Sequence, residues 1–196
     1  MNPLASVLLL LGAGLTLVSL VVVHVLPTKL SPLRDPVSQY GITPFRGWYW
    51  SAAGGAAIAG VGGALLFSTI PGAIAIVTTV LLGVFAVARA LIGVFPMDAP
   101  DAAKSRTGRT HNLLAFAAFA SVTAAAFTGA GAIHDAGAPT LSTWSTIFGV
   151  IMALGTVGMI LAAAIPALHG VFGLAERLIY AGFIAWFLTL GLTPLP

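Results

Sequence analysis

The sequence predicts an all-α, polytopic membrane protein, a bundle of six transmembrane helices. Charged residues make up 7% of the chain and apolar residues 59%, whereas a soluble domain carries about 25% charged residues. Six apolar runs approach the roughly 20 residues that a helix needs to cross a bilayer. Seven of the eight Lys and Arg residues lie in or next to alternate connections between these runs, as is typical of membrane proteins, and the eighth is Arg89. We therefore expect residues 1–196 to form a single six-helix transmembrane domain.

The six runs follow one another with a proline at or near most of their boundaries. They cover Leu4–Leu26, Trp48–Phe67, Ile74–Phe95, His111–Ala132, Trp144–Ile165 and about Val171–Leu192. Lipid offers no hydrogen bonds to a backbone, so each run must satisfy its own polar groups as a helix. The first run is interpreted as a retained span, because no basic segment precedes it and it exceeds a signal peptide's apolar core of about 7–15 residues.

Small residues recur at a spacing of four in the second and fourth runs. They include Gly55, Ala59 and Gly63 in the second run, and Ala117, Ser121, Ala125 and Gly129 in the fourth. Such faces let helices approach closely in a membrane. We interpret them as packing surfaces within the chain, although a homodimer interface would produce the same pattern.

The positions of the cations predict the orientation of the chain. The connecting cations are Lys29, Arg34, Arg46, Lys104, Arg106, Arg109 and Arg177. Because cytoplasmic connections are enriched in Lys and Arg, these segments are predicted to be cytoplasmic and both termini external, in the inner or plasma membrane. We therefore expect the net charge of +3 to interact with anionic membrane lipids and not with nucleic acid. The absence of Cys excludes disulfides and thiol chemistry.

Most of the remaining polar chemistry lies on the same predicted face. The candidate ligand-binding residues are His24, Ser38, Tyr40, Arg89, Asp98, Arg106, His111, Glu176 and Arg177. Asp98, His111 and Arg106 are expected to form one site with the Glu176–Arg177 turn. Guanidinium groups there suit an anionic lipid headgroup, and the imidazole suits acid–base chemistry. The alternative is a set of solvated charges that only anchor the topology.

Arg89 is the most informative single residue, because it lies about 9 Å inside the third run at a rise of about 1.5 Å per residue. One alternative is that its side chain extends to the headgroups. The other, which we prefer as a hypothesis, is that it faces the bundle and pairs with Asp98 or Glu176.

Three histidines on one face raise the question of a metal. His24, His111 and His169 with Asp98 could hold a catalytic zinc. No closely spaced ligand motif such as HExxH is present, and histidines at helix ends commonly cap backbone groups. We therefore predict no metal and no cofactor.

Several short segments carry a family resemblance. They are PTKLSPLRDPVSQYG, the arginine before FPMD, the stretch RTGRTH and the late ER pair. In these the chain resembles a prokaryotic six-helix membrane family, domain-of-unknown-function family nine-nine-eight. The resemblance covers nearly the whole chain and implies the six-helix architecture. It carries over no catalytic residues, because the family has no established activity.

Three classes of function fit these observations. The first is a membrane protein whose polar cytoplasmic-face site binds a lipid headgroup, an amphiphile or a partner protein. The alternative is a membrane-embedded lipid-modifying enzyme, including a metal-dependent hydrolase, with Asp98 and His111 as acid–base groups. The second alternative is a small-molecule transporter, which is disfavoured because no carboxylate lies near the predicted midplane. Whether the chain is an enzyme is left open by the sequence.

Overall fold

The computed structural model describes residues 2–194 and is built from helices, with no strand in that range. The long helices are α1 (Pro3–Val25), α2 (Arg46–Phe67), α3 (Ala73–Leu91), α4 (Arg106–Asp135), α5 (Pro139–Ala164) and α6 (Phe172–Leu192). Short 3-10 helices cover Val37–Ile42 and Pro166–Val171. All six long helices are long and apolar enough to cross a membrane. The predicted all-α bundle with six spans is confirmed.

The six helices pack in chain order around the bundle, and α6 lies closer to the middle than its place in that order requires. Each helix packs against the next along the chain, and α6 packs against α1 to close the ring. Further contacts of α6 with α2 and α4 place it inside the bundle. Its aromatic side chains form the core, with Phe183 and Phe187 lying 5.4 and 5.7 Å from the ring of Phe85. The second and last helices are the most buried of the six.

Backbone contact between α1 and α2 explains the small residues of the second run. A Cβ added at Gly55 would lie 2.7 Å from the carbonyl oxygen of Gly12. The Thr16 hydroxyl donates a hydrogen bond of 3.2 Å across the same contact to the carbonyl of Ala52. Only small residues allow two helices to approach this closely. The interpretation of this stripe as packing within the chain is thus supported.

The connection between α4 and α5 is much shorter than expected. The runs predicted from the sequence leave residues 133–143 as the connection, but only residues 136–138 separate the two helices. Gly137 adopts a φ of +83°, and its N–H and that of the next residue donate to the last carbonyls of α4. This is the αL termination that favours glycine. Pro139 then begins α5, where its missing N–H is not needed.

The boundaries at the other end of α3 and α4 also differ from the prediction. The third helix ends at Leu91 instead of Phe95, and the fourth begins at Arg106 instead of His111. Ser105 is the N-cap of α4, because its hydroxyl accepts the N–H of Gly108 at 2.9 Å. The hydropathy of a segment indicates how deep it lies in the membrane but does not reveal a helix cap. This explains why the predicted ends of these two helices were wrong. His111 consequently lies in the second turn of α4.

Three connections meet at one end of the bundle, which we call the basic end (residues 26–45, 92–105 and 165–171), because the Lys and Arg residues other than Arg89 lie in these connections or in the first two turns of the helices that follow them. The Ser38 hydroxyl donates to the sulfur of Met97 at 3.2 Å, which joins the first two connections. The N–H of Leu174 donates to the carbonyl of Leu33 at 3.0 Å, which joins the first connection to α6. The first 3-10 helix therefore packs into the end of the bundle, and its Tyr40 is fully buried.

Candidate functional site

A cavity of about 390 Å³ lies at the basic end, between α4 and α5 and against the start of α6. We call it the lateral cavity. Its lining is Pro36, Ser38, Met97, His111, Asn112, Ala115, Phe116, Phe119, Met159, Ile160, Ala163, Phe172 and Glu176. Phe116 and Ile160 are more than half exposed on the outer surface of the bundle. The opening therefore faces the side of the bundle, where lipid would lie in a membrane.

Hydrogen bonds join α4 and α5 at the ends that are remote from the lateral cavity. The Ser145 hydroxyl donates to the carbonyl of Ala126, and the Ser142 hydroxyl donates to that of Ala130, each at 2.8 Å. Gly149 packs against the Phe127 ring in the same region. The basic ends of the two helices both line the cavity.

His111 is held in one orientation by the backbone of the second connection. Its Nδ1 atom lies 2.7 Å from the carbonyl oxygen of Phe95. Since a carbonyl oxygen only accepts hydrogen bonds, Nδ1 carries the proton. The side chain is 2% exposed, and its Nε2 atom has no hydrogen-bond partner within residues 2–194. A buried polar atom without a partner is a costly feature, because its desolvation is not compensated.

Glu176 brings a carboxylate to the same cavity from the second turn of α6. Its side chain is 4% exposed, and its Oε2 atom accepts the N–H of Val37 at 2.7 Å. The carboxylate thus fixes the start of the first 3-10 helix. A carboxylate can accept about four hydrogen bonds, so this one contact leaves acceptor capacity for a ligand in the cavity that Glu176 lines.

Arg89 is buried beneath this site and does not reach the surface. Its side chain is 1% exposed, and its guanidinium carbon lies 5.3 Å from the centre of the Tyr180 ring. Tyr49 and Glu176 are its other electrostatic neighbours. In the part of the chain that the structure describes, its Nε and Nη2 atoms have no hydrogen-bond partner. Of the two acids expected near Arg89, Glu176 is the electrostatic neighbour, because the Asp98 carboxylate is engaged elsewhere.

Arg177 belongs to a second cluster outside the lining of the lateral cavity, although its charge also acts on Glu176. Its Nε atom donates to Nε2 of His24 at 2.8 Å, and its Nη1 atom donates to the carbonyl of Asp35 at 2.9 Å. The His24 ring in turn lies 5.1 Å from the ring of Tyr40. These groups satisfy one another, so the cluster acts as a clamp between α1, α6 and the first connection.

Asp98 holds the N-cap residue of α4, Ser105, and is not part of the lining of the lateral cavity. Its two oxygens accept the backbone N–H of Ser105 at 2.9 Å and the Ser105 hydroxyl at 2.6 Å. These hydrogen bonds hold the pKa of the Asp98 carboxyl below its usual value. Gly108 lies directly beneath the carboxylate, where an added Cβ would collide with it. The aspartate of FPMD and the glycine of RTGRTH therefore form one helix-capping unit.

The structure divides the nine residues of the predicted site into several groups. His111, Glu176 and Ser38 line the lateral cavity. Arg89 lies behind it, His24, Tyr40 and Arg177 form the clamp, Asp98 caps α4, and Arg106 is exposed. No group of three His, Asp or Glu side chains suited to a metal occurs in residues 2–194.

Several residues of the site were not identified from the sequence. They include Met97, Phe119 and Met159, which supply much of the apolar wall of the cavity, and Tyr49 and Tyr180, which flank Arg89. The Tyr180 position was open to inference, because Tyr180 follows Glu176 by four residues and so shares its face of α6. The others depend on contacts between distant segments.

Comparison with known proteins identifies the family. A family model described as "Protein of unknown function (DUF998)" matches residues 10–193, nearly the whole chain. Searches of the curated proteins and of the solved structures found no significant match. The matched range includes all the motifs on which the resemblance depended and every residue of the lateral cavity and the clamp. The chain therefore belongs to the DUF998 family, with six helices that are able to span a membrane.

Proposed function

We propose that this protein binds a membrane amphiphile in the lateral cavity. The single observation that carries the proposal is a mainly apolar cavity that opens towards lipid and is lined at its inner end by two buried polar residues, His111 and Glu176. The polar head would lie against His111 and Glu176. The chain would pass out between Phe116 and Ile160 into the bilayer. This arrangement matches an apolar binding site in which a few polar groups fix the orientation of the ligand.

The size of the lateral cavity agrees with this use. Its volume of about 390 Å³ lies within the roughly 300–1,000 Å³ of ordinary ligand sites. It can hold a small head and the first part of an acyl chain, while the remaining chain stays in lipid. A complete phospholipid need not enter the protein.

The exposed cations support a location next to an anionic membrane surface. Lys104, Arg106 and Arg109 are exposed around the start of α4. Each cation near an anionic leaflet contributes about 1 kcal/mol of attraction. Within the proposal, the basic end faces the cytoplasm and its rim contacts anionic headgroups, whereas the cavity receives the amphiphile.

Photolabelling in lipid nanodiscs tests whether an amphiphile occupies the lateral cavity. The probe is an oleoyl amphiphile with a diazirine on its chain, and labelled positions are mapped by mass spectrometry. We expect labelling of Met159, which lines the cavity, in addition to Leu154, which is exposed on the outer face of α5. Labelling of Leu154 reports ordinary contact with surrounding lipid.

Two matched variants locate the labelling. Ala115→Leu adds bulk to the cavity wall, and Ala164→Leu adds the same bulk at an exposed position outside the lining. The first should abolish labelling of Met159 and preserve that of Leu154, whereas the second should change neither. Equal labelling of Met159 in the wild-type protein and Ala115→Leu would exclude the cavity as the binding site.

A lipid-modifying enzyme is the second candidate function. The Phe95 carbonyl orients the His111 imidazole, and Glu176 supplies a carboxylate in the same cavity. An oriented imidazole with a free nitrogen is the arrangement expected of a general base. Incubation of the purified protein with extracted membrane lipids, followed by lipid mass spectrometry, distinguishes the two candidates. Time-dependent conversion that is lost in His111→Asn supports the enzyme, and binding without conversion supports the first proposal.

A further inference from the structure

The contact between His24 and Arg177 requires a neutral imidazole. The Nδ1 atom of His24 lies 2.6 Å from the carbonyl oxygen of Leu20, which only accepts hydrogen bonds, so Nδ1 carries a proton. The Nε atom of Arg177 always carries a proton as well, and it lies 2.8 Å from Nε2 of His24. Nε2 must therefore present a lone pair. A protonated ring would set two N–H groups and two positive charges against each other, so it cannot keep this hydrogen bond.

The groups packed around His24 come from α6, the first 3-10 helix and α2. From α6, the Arg177 guanidinium contacts the ring directly. From the 3-10 helix, the ring centre of Tyr40 lies 5.1 Å from that of His24, and the Tyr40 hydroxyl lies 3.4 Å from Nη2 of Arg177. The titratable side chain buried on α2, Tyr49, lies beside Arg89 instead. Arg177 is therefore the charged group that a proton on His24 would meet.

Two acids belong to the same region, and each is held by a backbone N–H group. The Asp35 carboxylate accepts the N–H of Ser31 at 2.6 Å, and the Glu176 carboxylate accepts the N–H of Val37 at 2.7 Å. The remaining cations of this region are exposed to solvent, namely Lys29, Arg34 and Arg46. Protonation of His24 would thus act first on its hydrogen bond from α6.

The guanidinium of Arg177 also holds the backbone that leads into the first 3-10 helix. Its Nη1 atom donates to the carbonyls of Asp35 and Gly173, each at 2.9 Å. A Cβ added at Gly173 would lie 2.6 Å from the Asp35 carbonyl oxygen and 2.8 Å from Nη1 of Arg177, so the glycine leaves room for this contact. One side of the guanidinium therefore depends on His24, and the other side holds the first connection in place.

We infer that the clamp is a proton-sensitive latch on the first 3-10 helix. With neutral His24 the latch is closed, and protonation of the ring ends the hydrogen bond from Arg177 and loosens residues 35–42. His24 is only half-buried at the basic end, so protons from the adjoining water reach it. Because Pro36 and Ser38 line the lateral cavity, loosening this segment also changes the wall of that cavity. The inference goes beyond the proposed function and does not depend on a bound amphiphile.

Hydrogen–deuterium exchange of the full chain in lipid nanodiscs tests the latch. Exchange is measured at about pH 7.5 and about pH 5.0, on either side of the ordinary histidine pKa of about 6.5, and is corrected for the chemical exchange rate at each pH. The reporters are peptides covering residues 35–43, in which the N–H groups of Val37, Gln39 and Thr43 are hydrogen-bonded. At the lower pH we expect about tenfold faster exchange there, the order expected for the loss of a hydrogen bond from a charged donor. Peptides covering residues 125–135, at the opposite end of the bundle, should not change.

The variant His24→Gln separates protonation from general destabilisation. A glutamine amide oxygen accepts a hydrogen bond from Arg177 and does not titrate, so the latch should stay closed at both pH values. Exchange of residues 35–43 should then be equally slow at both. His134→Gln makes the same substitution at an exposed histidine of the opposite end, and it should respond to acid as the wild type does.

The variant Glu176→Gln tests the other titratable side chain that holds the first 3-10 helix. Its amide oxygen still accepts the Val37 N–H, but it is not protonated in this range. An acid response that persists in Glu176→Gln and disappears in His24→Gln supports the latch. Equal exchange of the wild type at both pH values, or a response that persists in His24→Gln, would overturn it. If melting curves show that His24→Gln is unfolded, loss of the response in Glu176→Gln overturns the latch and its retention supports it.

Discussion

The Nε atom of Arg177 donates a hydrogen bond of 2.8 Å to Nε2 of His24, and this contact joins the start of α6 to the end of α1. The Nδ1 atom of His24 donates to the carbonyl of Leu20, which leaves Nε2 free to accept. The same guanidinium donates through Nη1 to the carbonyls of Asp35 and Gly173, each at 2.9 Å. One side chain therefore closes the ring of helices and holds the first connection against it.

We predict that Arg177→Lys destabilises the protein although it preserves the charge. A lysine ammonium cannot reproduce the planar guanidinium and its several directed donors. The expected loss is about 1–3 kcal/mol of unfolding free energy, observed as a lower melting temperature in detergent. Arg106→Lys, at an exposed position of the same end, should stay within about 0.5 kcal/mol. Equal melting temperatures for both variants would show that the clamp contributes nothing.

The second prediction concerns the stability that the buried Arg89 side chain contributes. Removing one member of a buried set of charges leaves the others uncompensated and costs about 3–5 kcal/mol. Arg89→Ala should therefore lower the melting temperature strongly, since Glu176 would lose one of its two cationic neighbours and keep only Arg177. Lys104→Ala, which removes an exposed cation, is the control and should have little effect. A negligible effect of Arg89→Ala would mean that its guanidinium reaches the surface in the membrane.

Most of the fold could be predicted because the bilayer imposes strict conditions on sequence. Apolar length identified all six helices, and the alternation of cations identified the connections that meet at the basic end. The predicted helix boundaries were wrong where local hydrogen bonds or backbone conformation determine the end of a helix. Ser105 begins α4 by capping it, and Gly137 allows a turn between α4 and α5 that hydropathy does not reveal.

The candidate site was less predictable, because its key contacts join a side chain to a distant backbone group. The Nδ1–H of His111 donates to the Phe95 carbonyl, and the Val37 N–H donates to Glu176. Neither backbone group is marked by its residue type. The sequence correctly predicted that polar residues gather at one end of the bundle. It could not show that Arg177 belongs to the clamp whereas Glu176 lines the cavity.

Gly108 provides a third prediction. An added Cβ there would collide with the Asp98 carboxylate, so Gly108→Ala should displace the cap of α4. The expected cost is about 1 kcal/mol, the usual value of a lost cap. Gly83→Ala in α3 is the matched control, because open space surrounds that position. Since Ala favours a helix over Gly by about 1 kcal/mol, this control should be neutral or stabilising. Melting curves of both variants in the same detergent test the difference, and a stabilising Gly108→Ala would contradict it.

The Asp98 cap also predicts a dependence on acid pH. Hydrogen bonds from Ser105 lower the pKa of Asp98 in the folded protein. A lowered pKa means that the cap stabilises the fold fully above the usual carboxyl pKa of about 4, and that this contribution is lost as the pH falls through the folded value. The melting temperature of wild-type protein should therefore fall between pH 6 and about pH 3. Asp98→Asn should begin lower and show a smaller fall, and identical pH profiles would exclude this role.

The last prediction concerns orientation in the membrane. The chain has no native Cys, so single cysteines report accessibility without background. Lys104 at the basic end and Asp135 beside the α4–α5 turn are both exposed and lie at opposite ends of α4. The cation distribution predicts that the basic end is cytoplasmic. A membrane-impermeant maleimide added to intact cells should label Asp135→Cys and leave Lys104→Cys unlabelled.

Detergent-solubilised samples provide the control, because both cysteines should react there at similar rates. Protection of Lys104→Cys in cells then reflects the membrane and not local burial. The reverse labelling pattern would place the basic end outside the cell and overturn the orientation. It would also move the mouth of the lateral cavity to the outer leaflet, so that the amphiphile would have to come from that leaflet. The labelling result therefore determines which leaflet supplies the candidate ligand.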